Sequence, residues 1–168
     1  MTKITLGGYL INTIGSLPKL DTQAPDFNLV KKDLTKSSLS DYKGFIVILN
    51  IFPSIDTGTC AASVRQFNKE ASNLENTKVL CISRDLPFAQ SRFCGAEGIE
   101  NVINLSDFAT GDFGKVYGVE IVDGPFAHLH ARAVIILDNN SKIIYTELVA
   151  EIDNEPNYEA ALKAVAEA

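Results

Sequence analysis

The chain has 168 residues, 46% hydrophobic and 21% charged, which suits one domain spanning 1–168 with a real core and leaves little room for two. A formal net charge of −6 excludes a broad basic surface for nucleic acid or anionic lipid. No apolar run approaches the roughly 18–20 residues that cross a bilayer, and MTKITLGGYLINTIGSLP lacks a signal-peptide core, so no membrane association and a cytoplasmic location are expected.

In chain order, segments 3–6 and 9–13 around Gly7-Gly8 predict a β-hairpin, because paired glycines suit primed turns. Residues 27–31 and 37–39 predict short strands around Lys32-Asp33. FIVILNIF, residues 45–52, is an almost unbroken apolar run that fits a central strand buried on both faces. After it, Cys60, Val64, Phe67, Ala71 and Leu74 are spaced as one stripe of an α-helix. Thr57 stands before them as an N-cap, which puts Cys60 in the first turn. Residues 78–83 predict a second buried strand, and Pro87 to Cys94 a short helix ended by Gly95. A weaker strand over 101–105 precedes an irregular stretch through Gly111, Gly114 and Gly118. Residues 133–138 and 142–148 form a hairpin around Asn139-Asn140, and Tyr158, Ala161, Leu162 and Val165 share a face of a terminal helix. That order predicts an α/β fold with a central mixed β-sheet flanked by helices; a thioredoxin-like arrangement is one such solution.

Three cysteines are too few, and odd in number, for a secreted disulfide scaffold. They are left as buried apolar groups, metal ligands or reactive thiols. Cys60 has one feature of a reactive thiol, since unpaired N–H groups in a first helical turn favour a thiolate. Thr57 offers a hydroxyl close to that sulfur in sequence, and Pro53 has no N–H and could shield it. On spacing alone, packing remains the commoner role for a cysteine heading an apolar stripe. Cys81, among Val79, Leu80 and Ile82, reads as a buried inert thiol. His128 and His130 would project to one side of a strand, but no third ligand stands nearby and they read as exposed loop histidines. Neither metal nor cofactor is expected.

FPSIDTGTC, residues 52–60, carries the P-x-x-x-T-x-x-C pattern of peroxiredoxins at Pro53, Thr57 and Cys60. NIFPSIDTGTCAASVRQFN, LCISRDLPFAQSRFCGAEG, YGV followed by DGP, and ARAVIILD more narrowly resemble the Tpx-type thiol peroxidases, which are atypical two-cysteine peroxiredoxins. The resemblance runs over essentially the whole chain. It implies a thioredoxin-like fold and a peroxidatic Cys60, with Pro53 shielding the sulfur, Thr57 positioning the peroxide and Arg132 of ARAV polarising it. It implies that Cys94, in RFCGAEG, resolves the oxidised Cys60 within the same chain, that thioredoxin is the reductant, and that the chain forms a homodimer. Hydrogen peroxide and organic hydroperoxides are the implied substrates, in antioxidant defence. Phe52, Phe88, Phe93, Phe126 and Leu129 flank the motifs and suggest an apolar rim favouring organic hydroperoxides.

A disulfide needs Cα atoms about 4.4–6.8 Å apart. A cysteine at a helix start and one at another helix's end are not expected to meet that without unwinding. Two other readings stay open: a general thiol–disulfide oxidoreductase, against which the absence of C-x-x-C argues, and a peroxide-sensing signalling protein that reacts once rather than cycling.

Overall fold

The structure, a computed structural model, describes residues 1–168. Its main sheet has seven strands in the order β4-β3-β7-β6-β5-β8-β9. They span β3 Asn28–Val30, β4 Lys36–Ser38, β5 Ile46–Ile51, β6 Thr77–Ser83, β7 Ile103–Ser106, β8 Ala133–Leu137 and β9 Ile143–Leu148. The three central strands β5, β6 and β7 run parallel, and the outer pairings are antiparallel. The expected mixed sheet is therefore present. FIVILNIF supplies an interior strand, β5, between β6 and β8, and residues of both parities along it are buried.

Alternation along β5 divides the core into two layers. Val47, Leu49 and Ile51 join Leu80, Ile82 and Ile135 on one face, covered by Phe27, Tyr42, Phe113 and Tyr117. Ile48 and Phe52 join Val79, Cys81, Val134 and Ile136 on the other. There they meet Cys60, Val64 and Phe67 of α1 (Gly58–Ala71) and Ala161 and Val165 of α4 (Tyr158–Ala166). The helix α2 (Pro87–Glu97) adds only partly buried Phe93 and Cys94 to that layer.

The hairpin of β1 (Thr2–Leu6) and β2 (Tyr9–Thr13) forms where expected, as a separate two-stranded sheet. Gly7 and Gly8 both take positive φ, 57° and 81°, as a primed turn requires. Both turn N–H groups donate to the Glu151 carboxylate at 3.0 Å, which holds that carboxyl below its usual range. No helix is long and apolar enough to cross a membrane.

Several boundaries differ from the expectations. The helix α2 runs through Gly95 to Glu97 and stops at Gly98, whose φ of 65° is the left-handed C-cap conformation. Gly95 is thus an interior helical residue. The stripe of α1 ends at Ala71, and Leu74 lies beyond it. β7 begins at Ile103 rather than 101, where it pairs with Leu80 of β6. The stretch read as irregular holds a short helix, α3 (Asp112–Val116), whose N–H groups at Phe113 and Gly114 are capped from outside by the Asp107 carboxylate, at 3.3 and 3.1 Å. A cap five or more residues upstream leaves no local sequence signature.

Candidate active site

β5 ends at Ile51, and Phe52–Asp56 carry the chain over the carboxyl edge of the parallel strands into α1. Crevices at that edge are where open α/β sheets place ligands. Thr57 has the extended backbone of an N-cap, φ −99° and ψ 146°, so Cys60 falls in the first turn as expected. The threonine side chain makes no capping bond. Its hydroxyl instead lies 2.7 Å from Cys60 Sγ, with the Ser54 carbonyl at 3.1 Å as the competing acceptor for its one hydrogen. Pro53 is buried beside this turn, with no N–H to leave unsatisfied.

Arg132 reaches the same sulfur from 72 positions away, with Nη2 at 3.4 Å from Sγ. Strand register puts it there. Ile51 pairs with Ala133, so the residue before β8 lies level with the turn that leaves β5. The guanidinium is 1% exposed, its Nε donates to the Ile152 carbonyl at 2.9 Å, and it forms no ion pair with a carboxylate. Nη1 is buried and has no partner. A buried cation without a counter-ion is costly, and an anionic sulfur or an entering peroxide oxygen relieves that cost. Thr57 and Arg132 are thus brought together at one fully buried sulfur, that of Cys60, and Pro53 lies buried in the turn that leads to it.

Cys94 sits in the last turns of α2, half-buried, with its Sγ 2.8 Å from Asn104 Nδ2 of β7. Burial pushes its thiol up from the ordinary value, against the lowering effects of Asn104 and Lys32. All three cysteines are free thiols. Cys81 is fully buried on β6, where burial pushes its thiol up to about 12 against the lowering effect of Asn50 Nδ2, which donates to its sulfur at 3.7 Å.

Two expectations fail. His130 is fully buried rather than an exposed loop residue, with Nε2 2.9 Å from Asp107 Oδ2, whereas exposed His128 turns to Glu120 at 3.3 Å. The pair diverges because His130 lies in the β-bridge to Glu120, while His128 takes a positive φ of 73°. The apolar rim is not a single feature either. Phe52 is buried in the core, Phe126 packs on the hairpin cluster, and Phe88 is 65% exposed.

Sequence reasoning missed Asp85. It stands in the SRDLP segment between β6 and α2, and its carboxylate accepts the Ser54 hydroxyl and the Ile55 N–H, both at 2.7 Å. An acidic residue next to a strand end was the available signal, but nothing in the spacing points it at residues 54–55.

The family model described as Redoxin matches residues 19–162. A thiol peroxidase of Mycobacterium bovis is 53% identical over 165 residues, covering 98% of this chain and 99% of that one. Among solved structures, a peroxiredoxin-like protein from Aquifex aeolicus superposes with a TM-score of 0.93 at 36% identity, over 99% of this chain and 97% of the other. A thiol peroxidase from Chromobacterium violaceum gives 0.91 at 23% identity, over 98% and 95%, which speaks to the shared thioredoxin-like fold alone.

Proposed function

The chain belongs to the redoxin family and is a thiol peroxidase, and on that premise we propose that Cys60 is its peroxidatic sulfur, Cys94 its resolving sulfur and thioredoxin its reductant. The observation that carries this reading is the pairing of Cys60 Sγ with the Thr57 hydroxyl at 2.7 Å and the uncompensated Arg132 guanidinium at 3.4 Å. The Cys60 thiolate attacks one peroxide oxygen, the O–O bond breaks heterolytically, and the departing oxygen leaves as water or alcohol after taking a proton. Arg132 Nη1, unpartnered before substrate enters, donates to the oxygen on which charge develops. Thr57 orients the peroxide and Pro53 keeps water from the sulfur.

The Cys60 sulfenic acid then condenses with the Cys94 thiol, releasing water and forming an intrachain disulfide. In its helical position Cys94 is held in the protonated state by burial. Unwinding the end of α2 exposes that thiol, returns it toward ordinary acidity and brings it to Cys60 in one motion. A dithiol reductant restores both thiols. Hydrogen peroxide and organic hydroperoxides are both substrates in this reading, and the chain works as one domain, as a homodimer and in the cytoplasm, in antioxidant defence.

Peptide mapping without reductant, after one equivalent of peroxide, tests the assignment. A Cys60–Cys94 link with Cys81 free is expected; a link through Cys81, or none, overturns it. Cys60→Ser is expected to abolish peroxide consumption. Cys94→Ser is expected to permit one turnover followed by sulfinic acid at Cys60.

A further inference from the structure

The turn that carries Cys60 is fastened from outside by a residue of the other cysteine's segment. Asp85 lies two residues before Pro87, the first residue of α2. Its Oδ1 accepts the Ser54 hydroxyl at 2.7 Å, and its Oδ2 accepts the Ile55 N–H at 2.7 Å and the Ser83 hydroxyl at 2.6 Å. Ser83 Oγ in turn accepts from Gln90 Nε2 of α2 at 3.1 Å, and the Asp85 carbonyl accepts the Ser106 hydroxyl from the end of β7.

Ser54 transmits this hold toward the sulfur. Its carbonyl accepts both the N–H and the hydroxyl of Thr57, each at 3.1 Å, and its own Oγ accepts the Asp56 N–H at 3.2 Å. An unbroken chain of contacts therefore runs Asp85–Ser54–Thr57–Cys60, ending in the 2.7 Å approach of the threonine hydroxyl to Sγ. The threonine hydroxyl has one hydrogen and two acceptors, so where Ser54 is held decides how it divides between them.

We infer that Asp85 is a positioning residue for the peroxide step, fixing the Ser54–Thr57 turn against Cys60 while also tying that turn to the head of α2. The inference rests on Cys60 and Cys94 having the roles proposed above. It has a signature that mere structural support lacks, because the first chemical step slows and the second does not. Attack on peroxide needs Thr57 held in register, and small displacements at a reacting centre are expensive. Disulfide closure needs the α2 segment to leave its resting contacts, and Asp85, ahead of Pro87, makes some of those contacts.

The test follows the two steps separately in Asp85→Ala and Asp85→Asn, by rapid-mixing kinetics of sulfenic acid formation and of its conversion to disulfide. In Asp85→Ala, sulfenic acid formation is expected to slow by about 10–100-fold, with closure unchanged or faster. Asp85→Asn keeps one carbonyl acceptor and is expected to recover part of the first rate. Equal slowing of both steps, or no change in either, overturns the inference. If Asp85→Ala fails to fold, Ser54→Ala removes the middle link and must show the same split at smaller amplitude; its absence is equally decisive. Mass assignment of the sulfenic acid in the wild-type protein reports separately on Cys60, so a wrong peroxidatic sulfur is distinguishable from a wrong role for Asp85.

Discussion

Helix α1 buries Cys60, Ala61, Ser63, Val64 and Phe67, whereas α2, over its 11 residues, buries only Pro87 and Gln90. Around Cys60 the contacts are short, directional and drawn from three parts of the chain: Thr57, Arg132 and, through Ser54, Asp85. Around Cys94 there is one side-chain partner, Asn104, and two glycines within four residues. The ties from α2 back to the α1 region include Arg65–Glu97 at 2.8 Å and Arg92–Asp56 at 3.3 Å, both exposed and each worth roughly 0–1 kcal/mol. Low burial and solvent-exposed ties mark the segment that opens first. In the proposed cycle the sulfur that reacts with peroxide is thus the one held rigid, and the sulfur that resolves it sits on the less buried helix.

The sharpest way to break this comparison is to remove the cation that defines the rigid side. Arg132→Met is expected to slow sulfenic acid formation by about 10²–10³-fold, the range for losing a preorganised donor at a developing charge. Its thermal midpoint is expected to hold or rise, since the substitution removes a buried charge that has no carboxylate partner. Stopped-flow kinetics together with calorimetry read both, and a variant within threefold of wild type would place the catalytic charge elsewhere.

Gly95→Ala sharpens the mobile side. The position is helical, has no positive φ, and a Cβ there meets nothing within 4 Å. Alanine is expected to stabilise the helical form of α2 by about 0.5–1 kcal/mol, which slows disulfide closure by about 2–5-fold. Sulfenic acid formation stays as in wild type, and the sulfinic fraction at high peroxide rises. Unchanged closure would mean that α2 keeps its helical turn while the disulfide forms.

The smallest effect distinguishes the two sulfurs raised by burial. Both thiols stay protonated above the ordinary range, Cys81 to about 12 and Cys94 in the same direction while half-exposed. Iodoacetamide should therefore modify Cys94 first as pH rises, with Cys81 protected in the native protein. A thiol raised by folding stabilises fully below its unfolded value and loses that contribution as pH climbs through the folded one. Cys81→Ala is therefore expected to flatten the fall of thermal stability between pH 9 and about 12, the window between its ordinary and folded values. An unflattened profile would remove Cys81 from the alkaline transition.

The local half of this molecule was readable from the chain. Thr57 before an apolar stripe put Cys60 in a first helical turn, because capping and helical spacing are properties of neighbouring residues. Gly7-Gly8 announced its hairpin for the same reason. The end of α2 was misjudged at Gly95 because two glycines compete for the C-cap, and only Gly98 takes the left-handed φ of 65° that ends the helix.

What made Cys60 a candidate from its neighbours alone was the first helical turn and the hydroxyl three residues before it; the role of Arg132 came through family likeness, and its place beside the sulfur came only with the fold. The β5–β8 register sets Ile51 against Ala133 and so delivers the guanidinium across 72 positions. The same holds for Asp85 reaching Ser54, and for His130 turning inward to Asp107. Periodicity is written in contiguous residues, but proximity between distant ones exists only once strands have chosen their partners, and the chemistry proposed at Cys60 depends on that second kind of information.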